Sequence, residues 1–353
     1  MKRFICHCAN VLDFENSTCV QCKRSLGFLP DLLELAALEP AGGDDWLALH
    51  PAAEGRRYRR CRQSTAHQVC NWMVLADDPE PYCLACRLNE VIPNLDTPGN
   101  RALWLSIERR KHRLVYDLRR HRLPVYSRSE DPDHGLGFAF LESDAEPMAG
   151  DRRAFNDYLQ PRPVLTGHQD GLITINIAEA DDVERERRRV QLNEPQRTLL
   201  GHFRHESGHY YWDRLVGDGP LLDRVRSVFG DERADYAQAL ERYYSAGPVP
   251  HWSTHWISAY ASVHPWEDWA ECWAHWLKIS DALETAAGIG MVPAESLHDT
   301  FDQRIAHWIE LALDFNQLCR SLDQPDAYPF VLTPPVVEKL RLVDEVIQLS
   351  GHT

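Results

Sequence analysis

The pentapeptide at residues 205–209, His-Glu-Ser-Gly-His, carries residue types at a spacing suited to metal chemistry. Residues four apart on a helix lie on one face, about one turn from each other. His205 and His209 would therefore present two imidazoles to one Zn²⁺, with Glu206 beside it as a candidate general base. An exposed polar helix face could carry the same residues. The pattern points to a zinc hydrolase, most simply a peptidase.

The surrounding sequence predicts a mostly apolar helix over residues 196–215. Asn193 could act as its N-cap, and Pro195 suits the first turn. Histidines and a glutamate in a domain interior need a metal or other partners to offset their desolvation. Gly208 costs a helix interior about 1 kcal/mol relative to alanine. We therefore expect another backbone segment to approach Gly208 closely.

A catalytic zinc site needs a third protein ligand and one open position. The arrangement with a third histidine six residues further on is excluded, because Leu215 stands there. The tryptophan-rich stretch 258–275 supplies Glu267 as the candidate ligand, one turn into a predicted helix. Glu271, on the same face, would accept an N–H from a ligating histidine. His275 extends this face as a further second-sphere group and as the alternative ligand.

Tyr260 is the candidate donor to the oxyanion that forms when water attacks a carbonyl. The choice rests on its spacing to Glu267, since its phenol could point at developing charge. His264 is the alternative donor, although a capping or packing role explains it more simply. In this scheme Glu206 takes the proton of the water and passes it to the leaving amine.

The chain also resembles a known family. The stretches that carry the resemblance are CNWMVLADD at 70–78, CLACRLNEVIPNL at 83–95, TGHQDGLITINIAEADDVERERRR at 166–189, RTLLGHFRHESGHYYWDRL at 197–215, FGDERADY at 229–236 and SAYASVHPWEDWAECWAHW at 258–276. They are similar to the bacterial "zinc-ribbon domain-containing putative zinc-binding metallopeptidase" family. The H-E-x-G-H helix followed by Tyr-x6-Glu-x3-Glu resembles the glutamate-zincin (gluzincin) arrangement. The resemblance implies a cysteine-rich N-terminal part with a metallopeptidase domain behind it.

Cysteine usage is the second strong feature, because eight of the ten cysteines fall within the first 86 residues. Four thiolates at short spacing are the preferred ligands of structural Zn²⁺, and a disulfide framework is the competing interpretation. The N-terminal sequence lacks the apolar core of a signal peptide, so we expect reduced thiols and zinc. The two groups of four are Cys6, Cys8, Cys19, Cys22 and Cys61, Cys70, Cys83, Cys86.

The first group departs from the usual zinc knuckle. It begins with C-x-C, and Ala9 and Lys23 follow its cysteine pairs where a knuckle usually has glycine. In the second group, His67 could substitute for one cysteine. Whether the groups form one ribbon or two is left open. The segments 1–28 and 58–95 are too short for a sizeable core, so metal would supply their folding energy.

Length and charge limit the number of domains and the kinds of partner that the chain can have. A chain of 353 residues has room for two or three domains. Its formal charge of −15 disfavours nucleic acid as a partner. A basic cluster at residues 56–62 could contact an acidic partner or form a solvated face. No apolar run of about 18 residues predicts a transmembrane helix, so we expect a cytoplasmic protein.

We predict an α+β protein with three parts. They are a zinc-ribbon region at 1–95, a helical and irregular connecting segment at 96–163, and a mainly helical zincin-like domain with a small sheet at 164–353. Composition predicts a linker at 38–55, and alternation predicts a strand at 172–177. Helices are predicted at 101–121, 224–244, 265–284, 296–322 and 335–349. By resemblance, the strand is a candidate edge strand that pairs with an extended substrate.

The function predicted from these features is zinc-dependent peptide hydrolysis, with one catalytic and two structural zinc ions. The zinc ribbons would dock the peptide or protein substrate or a protein partner. Two alternatives remain at the level of sequence. One is a binding or scaffold module with a peptidase domain of low activity, and the other is an isopeptidase or amidase.

Overall fold

The computed structural model describes residues 1–142, 166–191 and 198–351. The strands are β1 Phe4–Ile5, β2 Val11–Leu12, β3 Ser25–Leu29, β4 Glu34–Gly42, β5 Asp45–Ala48, β6 Arg57–Arg60, β7 Met73–Leu75, β8 Asn89–Val91, β9 Gly137–Leu141, β10 Gly167–Gln169 and β11 Leu172–Asn176. The helices are α1 Arg62–His67, α2 Asn100–Arg120, α3 Asp182–Gln191, α4 Leu199–Leu215, α5 Leu222–Phe229, α6 Tyr236–Ala246, α7 Pro265–Gly288, α8 Phe301–Ser321 and α9 Pro334–Ser350. The chain forms two compact units, one of Met1–Phe14, Asp117–Pro124 and Arg204–Thr353, the other of Glu15–Tyr116 and Val125–Phe203.

An antiparallel sheet in the order β3-β4-β5-β6-β7 dominates the N-terminal part of the second unit. The predicted linker at 38–55 is wrong, because β4 and β5 pair there as a hairpin. Gly42 and Gly43 at its tip have positive φ, which glycine adopts without strain. The sheet has its own apolar core, to which Tyr58 and Met73 of the segment 58–95 contribute. Its buried members are Leu29, Ala36, Leu38, Ala48, Ala53, Tyr58 and Met73. That metal supplies folding energy to the segments 1–28 and 58–95 stays a prediction.

A second sheet of the same unit has the order β10-β11-β9-β8. The strand predicted at 172–177 is confirmed as β11, with Ile173 and Ile175 buried. Its predicted role as an edge strand is wrong, because β11 pairs with β10 on one side and with β9 on the other. Strand β9 itself was missed in a stretch predicted to be irregular, and residues 143–163 of that stretch lie outside the described residues.

Helix α7 is the central helix of the first unit and packs against α5, α8 and α9. Its buried face includes Trp269, Trp273 and Trp276, which place the helix in the interior of the unit. The single helix predicted at 224–244 is wrong, because α5 ends and α6 begins within it. Gly230 has φ of +104°, and the Asp235 side chain caps α6 by accepting the Gln238 N–H.

The prediction of an α+β fold is confirmed, with a mainly helical C-terminal part and small sheets. The predicted helix at 101–121 corresponds to α2, and the helices predicted at 296–322 and 335–349 correspond to α8 and α9. The domain boundaries at 95/96 and 163/164 stay predictions. Among the described residues, no helix has the length and apolar character needed to cross a membrane.

Candidate metal centre

Helix α4 presents the two histidines of the pentapeptide on one face. Their ring centroids lie 4.9 Å apart, and both rings belong to one turn of the helix. The helix begins at Leu199, where the Thr198 hydroxyl accepts the Gly201 N–H at 3.0 Å. The predicted cap Asn193 and first-turn residue Pro195 lie outside the described residues.

A close contact between α4 and α7 sets the distance between the histidines and the third candidate ligand. A Cβ added to Gly208 would lie 2.9 Å from the Cα of Ala270. The Gly208 carbonyl accepts the Trp269 indole N–H at 3.0 Å, and the Ser207 hydroxyl accepts that of Trp273 at 3.1 Å. The predicted approach of another backbone segment to Gly208 is therefore confirmed, and that segment belongs to α7.

The start of α7 directs Glu267 toward the histidines. Pro265 occupies the first turn, and the His264 Nδ1 accepts the Trp266 N–H at 3.1 Å. His264 therefore caps the helix, and its Nε2 bonds to the backbone oxygen of Ala234. Because α7 begins here, Glu267 lies in its first turn, where the helix dipole favours a carboxylate.

Three candidate ligand atoms converge at this point. The Oε2 atom of Glu267 lies 2.9 Å from the Nε2 of His205 and 3.6 Å from the Nε2 of His209. Glu267 is 1 % exposed, yet this oxygen has no hydrogen-bond donor among the residues that the structure describes. A buried carboxylate oxygen without a donor is costly, and a cation at this point would satisfy it. Two imidazoles and one carboxylate are also a donor set that catalytic zinc uses.

Glu271 fixes the orientation of His205. Its Oε1 lies 2.8 Å from the Nδ1 of His205, and its Oε2 accepts the Ser258 hydroxyl at 2.6 Å. With Nδ1–H donated to a carboxylate, the Nε2 lone pair faces Glu267. Burial alone would raise the pKa of the Glu271 carboxyl, but the hydrogen bond and charge of His205, the charge of His275 and the hydrogen bond from Ser258 together lower the pKa to about 2.

Tyr236 contacts the site, although no role was predicted for it from the sequence. Its hydroxyl donates a hydrogen bond to the Oε1 of Glu267 at 2.6 Å. Burial and the Glu267 carboxylate raise the pKa of the phenol, so it keeps its proton. Burial would also raise the pKa of Glu267, but His209 and His205 outweigh it and hold that pKa well below its ordinary range. The carboxylate is thus in the ionised form that a metal requires.

The candidate general base and oxyanion donor also lie in this region. Glu206 is 8 % exposed, and burial raises the pKa of its carboxyl above the ordinary value. The ring of Tyr260 lies 5.9 Å from that of His205, and burial raises the pKa of its phenol. Tyr260 therefore remains a hydrogen-bond donor. The Glu206 carboxyl interacts electrostatically with His205, His209 and Glu267, and the Tyr260 phenol interacts with Glu267.

His275 has other partners. Its Nδ1 lies 2.9 Å from the Tyr328 hydroxyl, and its ring packs edge-on against Phe330 at 4.4 Å. Burial, followed by nearby Lys278, lowers the pKa of His275 to about 3. The atoms that converge as a possible metal set are those of His205, His209 and Glu267.

The second cysteine group converges within one unit. Its four Sγ atoms lie within 4.8 Å of one another. Ala9 and Lys23 have φ of 67° and 61°, the left-handed conformation that favours glycine at knuckle positions. Non-glycine residues there carry backbone strain. In both groups the donor chemistry is that of a structural zinc site.

The environment of the second group differs from the expectation. His67, the predicted substitute ligand, packs its ring against Trp104 at 5.5 Å. The histidine beside the sulfurs is His112 on α2, whose Nε2 lies 3.4 Å from the Cys70 Sγ. His112 was missed because it lies 42 residues from Cys70 in sequence. No local spacing could indicate this contact.

The basic cluster at 56–62 is largely engaged in local contacts. Arg56 pairs with Asp31 at 2.7 Å and Arg57 with Asp45 at 3.7 Å. The Arg60 guanidinium lies over the Trp46 ring at 4.6 Å. These contacts favour the solvated-face interpretation of the cluster over a docking surface.

Comparison with known proteins identifies the family of the chain. Residues 3–97 match a zinc-ribbon domain, and residues 100–346 match the family described as "putative zinc-binding metallo-peptidase". Uncharacterized proteins of Mycobacterium bovis and of two Mycobacterium tuberculosis strains are 39 % identical over 356 residues, covering 98 % of this chain and 95 % of theirs. No solved structure matches the chain. The resemblance noted in the sequence is confirmed, and the chain belongs to this zinc-binding metallopeptidase family, with a zinc-ribbon domain in front of the family region.

Proposed function

We propose that the protein is a zinc-dependent metallopeptidase whose catalytic ion would be held by His205, His209 and Glu267. The observation that carries the proposal is the convergence of their three ligand atoms around a buried carboxylate oxygen that has no hydrogen-bond donor in the described part of the chain. Three protein ligands leave a fourth position for water or substrate, as catalytic zinc sites require.

The chemistry follows from the groups around this point. Zn²⁺ held there would act as a Lewis acid and lower the pKa of water toward about 7. Glu206 takes the proton of the attacking water and delivers it to the leaving amine. The raised pKa of Glu206 suits a group that must both accept and release a proton near neutrality. Tyr260 donates its phenol O–H to the developing oxyanion.

Two further residues hold the ligands in place. Glu271 fixes the ring of His205 through Nδ1, and Tyr236 fixes the carboxylate of Glu267 through Oε1. Ligand orientation by such neighbours typically changes metal affinity about 10- to 100-fold. His275 supports α7 through Tyr328 in this scheme.

Each cysteine group would hold one structural zinc ion, which gives one catalytic and two structural ions per chain. Reduced thiols would match a cytoplasmic location. The zinc-ribbon region would recognise the peptide or protein substrate or a protein partner. The formal charge of −15 disfavours nucleic acid in that role.

Glu206→Gln tests the proposal, because it keeps the size of the side chain and removes its capacity to carry protons. Wild type should cleave a fluorescently labelled unfolded protein, and the variant should be slower by about 100-fold or more. Zinc content should stay at the wild-type value in Glu206→Gln and fall in His205→Ala. Equal cleavage by wild type and Glu206→Gln would overturn the proposed mechanism. A partner that binds both proteins equally, without cleavage by either, would favour the scaffold alternative.

A further inference from the structure

A fifth metal donor lies beside the second cysteine group. The Nε2 atom of His112 lies 3.4 Å from the Cys70 Sγ and 3.9 Å from the Cys86 Sγ. The residue is 3 % exposed, and its ring packs edge-on against Trp72 at 5.0 Å. We infer that His112 is an alternative zinc ligand that, with Cys70, Cys83 and Cys86, holds the metal when Cys61 does not.

The distances are those between ligands of one ion. With Zn–S of about 2.3 Å and Zn–N of about 2.0 Å, neighbouring ligand atoms in a tetrahedron lie about 3.5 to 3.8 Å apart. The Cys70 and Cys83 sulfurs lie 3.7 Å apart, as two thiolates of one site should. The two contacts of the His112 Nε2 to sulfur, at 3.4 and 3.9 Å, lie on either side of the distance expected between a nitrogen and a sulfur ligand of one zinc ion. Its nitrogen therefore lies where a ligand could lie.

The tautomer of His112 is fixed by a backbone contact. Its Nδ1 lies 2.6 Å from the carbonyl oxygen of Glu108, one turn earlier on α2. A carbonyl only accepts, so Nδ1 carries the hydrogen. The neutral ring then directs the Nε2 lone pair at the sulfurs, in the form in which histidine binds metals.

The position of His112 determines which cysteine it can replace. Its nitrogen contacts the Cys70 and Cys86 sulfurs, and the Cys83 sulfur lies 3.7 Å from that of Cys70. Cys70, Cys83 and Cys86 form one face of the tetrahedron, and the fourth ligand, Cys61, lies opposite that face. A metal that moves through this face exchanges Cys61 for His112. Three cysteines and one histidine are an ordinary set for structural zinc.

Glu108 approaches the same cysteine group but has other partners. Its Oε1 accepts hydrogen bonds from Asn89 at 2.7 Å, Trp104 at 3.0 Å and Lys111 at 3.0 Å. Its Oε2 pairs with the Lys111 ammonium at 2.9 Å. This carboxylate is already satisfied, so it anchors α2, and His112 is the group left to serve as the additional donor.

The test counts zinc ions in the full chain by native mass spectrometry. The proteins compared are wild type, Cys61→Ala, Cys70→Ala and the double variant Cys61→Ala/His112→Gln. Cys61→Ala should keep the wild-type count, whereas Cys70→Ala and the double variant should each lose one ion. Glutamine can still donate an N–H to sulfur but is a poor zinc ligand, so the double variant separates a ligand role from a hydrogen-bonding role.

Two results would overturn the inference. One is loss of an ion in Cys61→Ala as in Cys70→Ala, and the other is retention of that ion in the double variant. Cys61→Ser guards against misfolding, because the Cys61 sulfur accepts the Cys83 N–H at 3.3 Å and serine keeps an acceptor there. With Co²⁺ in place of zinc, the Cys61→Ser spectrum should lose thiolate charge-transfer intensity and keep its tetrahedral bands. None of these readouts depends on peptidase activity or on metal at His205, so the inference can fail while the proposed function stands.

Discussion

Tyr236 donates its phenol O–H to the Oε1 of Glu267 at 2.6 Å, and the other oxygen of that carboxylate faces His205 at 2.9 Å. The two residues come from different helices, α6 and α7. With Oε1 engaged by the phenol, Oε2 is the oxygen left for a metal. The position of α6 therefore bears on the geometry of the candidate ligand set.

Replacing Tyr236 with phenylalanine should weaken zinc binding at this site. The ring and its packing remain, but Glu267 loses the donor that fixes its orientation. Loss of such an orienting group typically lowers metal affinity about 10- to 100-fold. Competition with a chromogenic chelator measures the change directly.

Tyr244→Phe is the matched control for this variant, since it removes a phenol hydroxyl from the same helix. Tyr244 is 65 % exposed, so water can take the place of its hydroxyl group. The zinc affinity of Tyr244→Phe should equal that of wild type. Wild-type affinity in Tyr236→Phe would show that Glu267 is oriented without the phenol.

The candidate ligands could be predicted because the relevant geometry is local. His205 and His209 share one turn of one helix, and Glu267 and Glu271 share one face of another. Helical periodicity alone brings each pair together. Tyr236 lies 31 residues from Glu267, and their contact depends on how α6 packs, which no short-range pattern encodes.

The errors in the fold have a similar physical origin. Composition rich in alanine, glycine and acids suggested a linker at 38–55, but cross-strand pairing stabilises β4 and β5 there. Pairing partners and burial decide strand formation more than intrinsic preference does. The break between α5 and α6 was readable in principle, because Gly230 and Asp235 are ordinary stop and start signals.

Glu271 and His275 should respond differently to substitution. Glu271→Gln removes the charge that strengthens the hydrogen bond from His205, so zinc affinity at the candidate metal centre should fall by about 10-fold or more. His275→Gln should leave zinc affinity unchanged and lower stability through the lost contact with Tyr328. Chelator competition and urea unfolding on both variants separate the two effects. If His275→Gln lost zinc and Glu271→Gln kept it, His275 would be favoured as the third ligand.

Gly208→Ala should separate α4 from α7. The new methyl group would lie 2.9 Å from the backbone Cα of Ala270, which cannot move without shifting α7. Overpacking of this kind costs about 1–3 kcal/mol, which exceeds the gain of about 1 kcal/mol in helix propensity. Urea unfolding should show a less stable protein, and zinc affinity should fall because Glu267 moves with α7.

Gly201→Ala on the same helix is the control. There the near atom is the hydroxyl oxygen of Thr198, a side chain that can rotate away. Its stability should fall less than that of Gly208→Ala. An equal loss of stability in the two variants would mean that the first turn of α4, and not the contact of Gly208 with Ala270, limits the stability of this region.

His121 should make stability dependent on pH. Its Nε2 lies 3.0 Å from the Ser280 hydroxyl and its ring packs against Trp276 at 4.5 Å. Burial, followed by the charges of Arg120 and Arg304, lowers its pKa well below 6.5. Below about pH 6.5, His121 is protonated in the unfolded chain but stays neutral in the folded chain. The contribution of His121 is therefore intact above about pH 6.5 and is lost as pH falls toward the folded pKa.

His121→Gln should reduce this loss, because glutamine keeps a hydrogen-bonding group for Ser280 and does not titrate. A single proton corresponds to about 1.4 kcal/mol per pH unit, so the variant should lose that much less stability for each unit below about pH 6.5. Urea unfolding of both proteins at several pH values between about 7 and about 5 gives the two slopes. His298→Gln, at an exposed position, should retain the wild-type slope. Parallel slopes for wild type and His121→Gln would mean that His121 takes up its proton equally in the folded and unfolded chains, and that the acid sensitivity arises elsewhere.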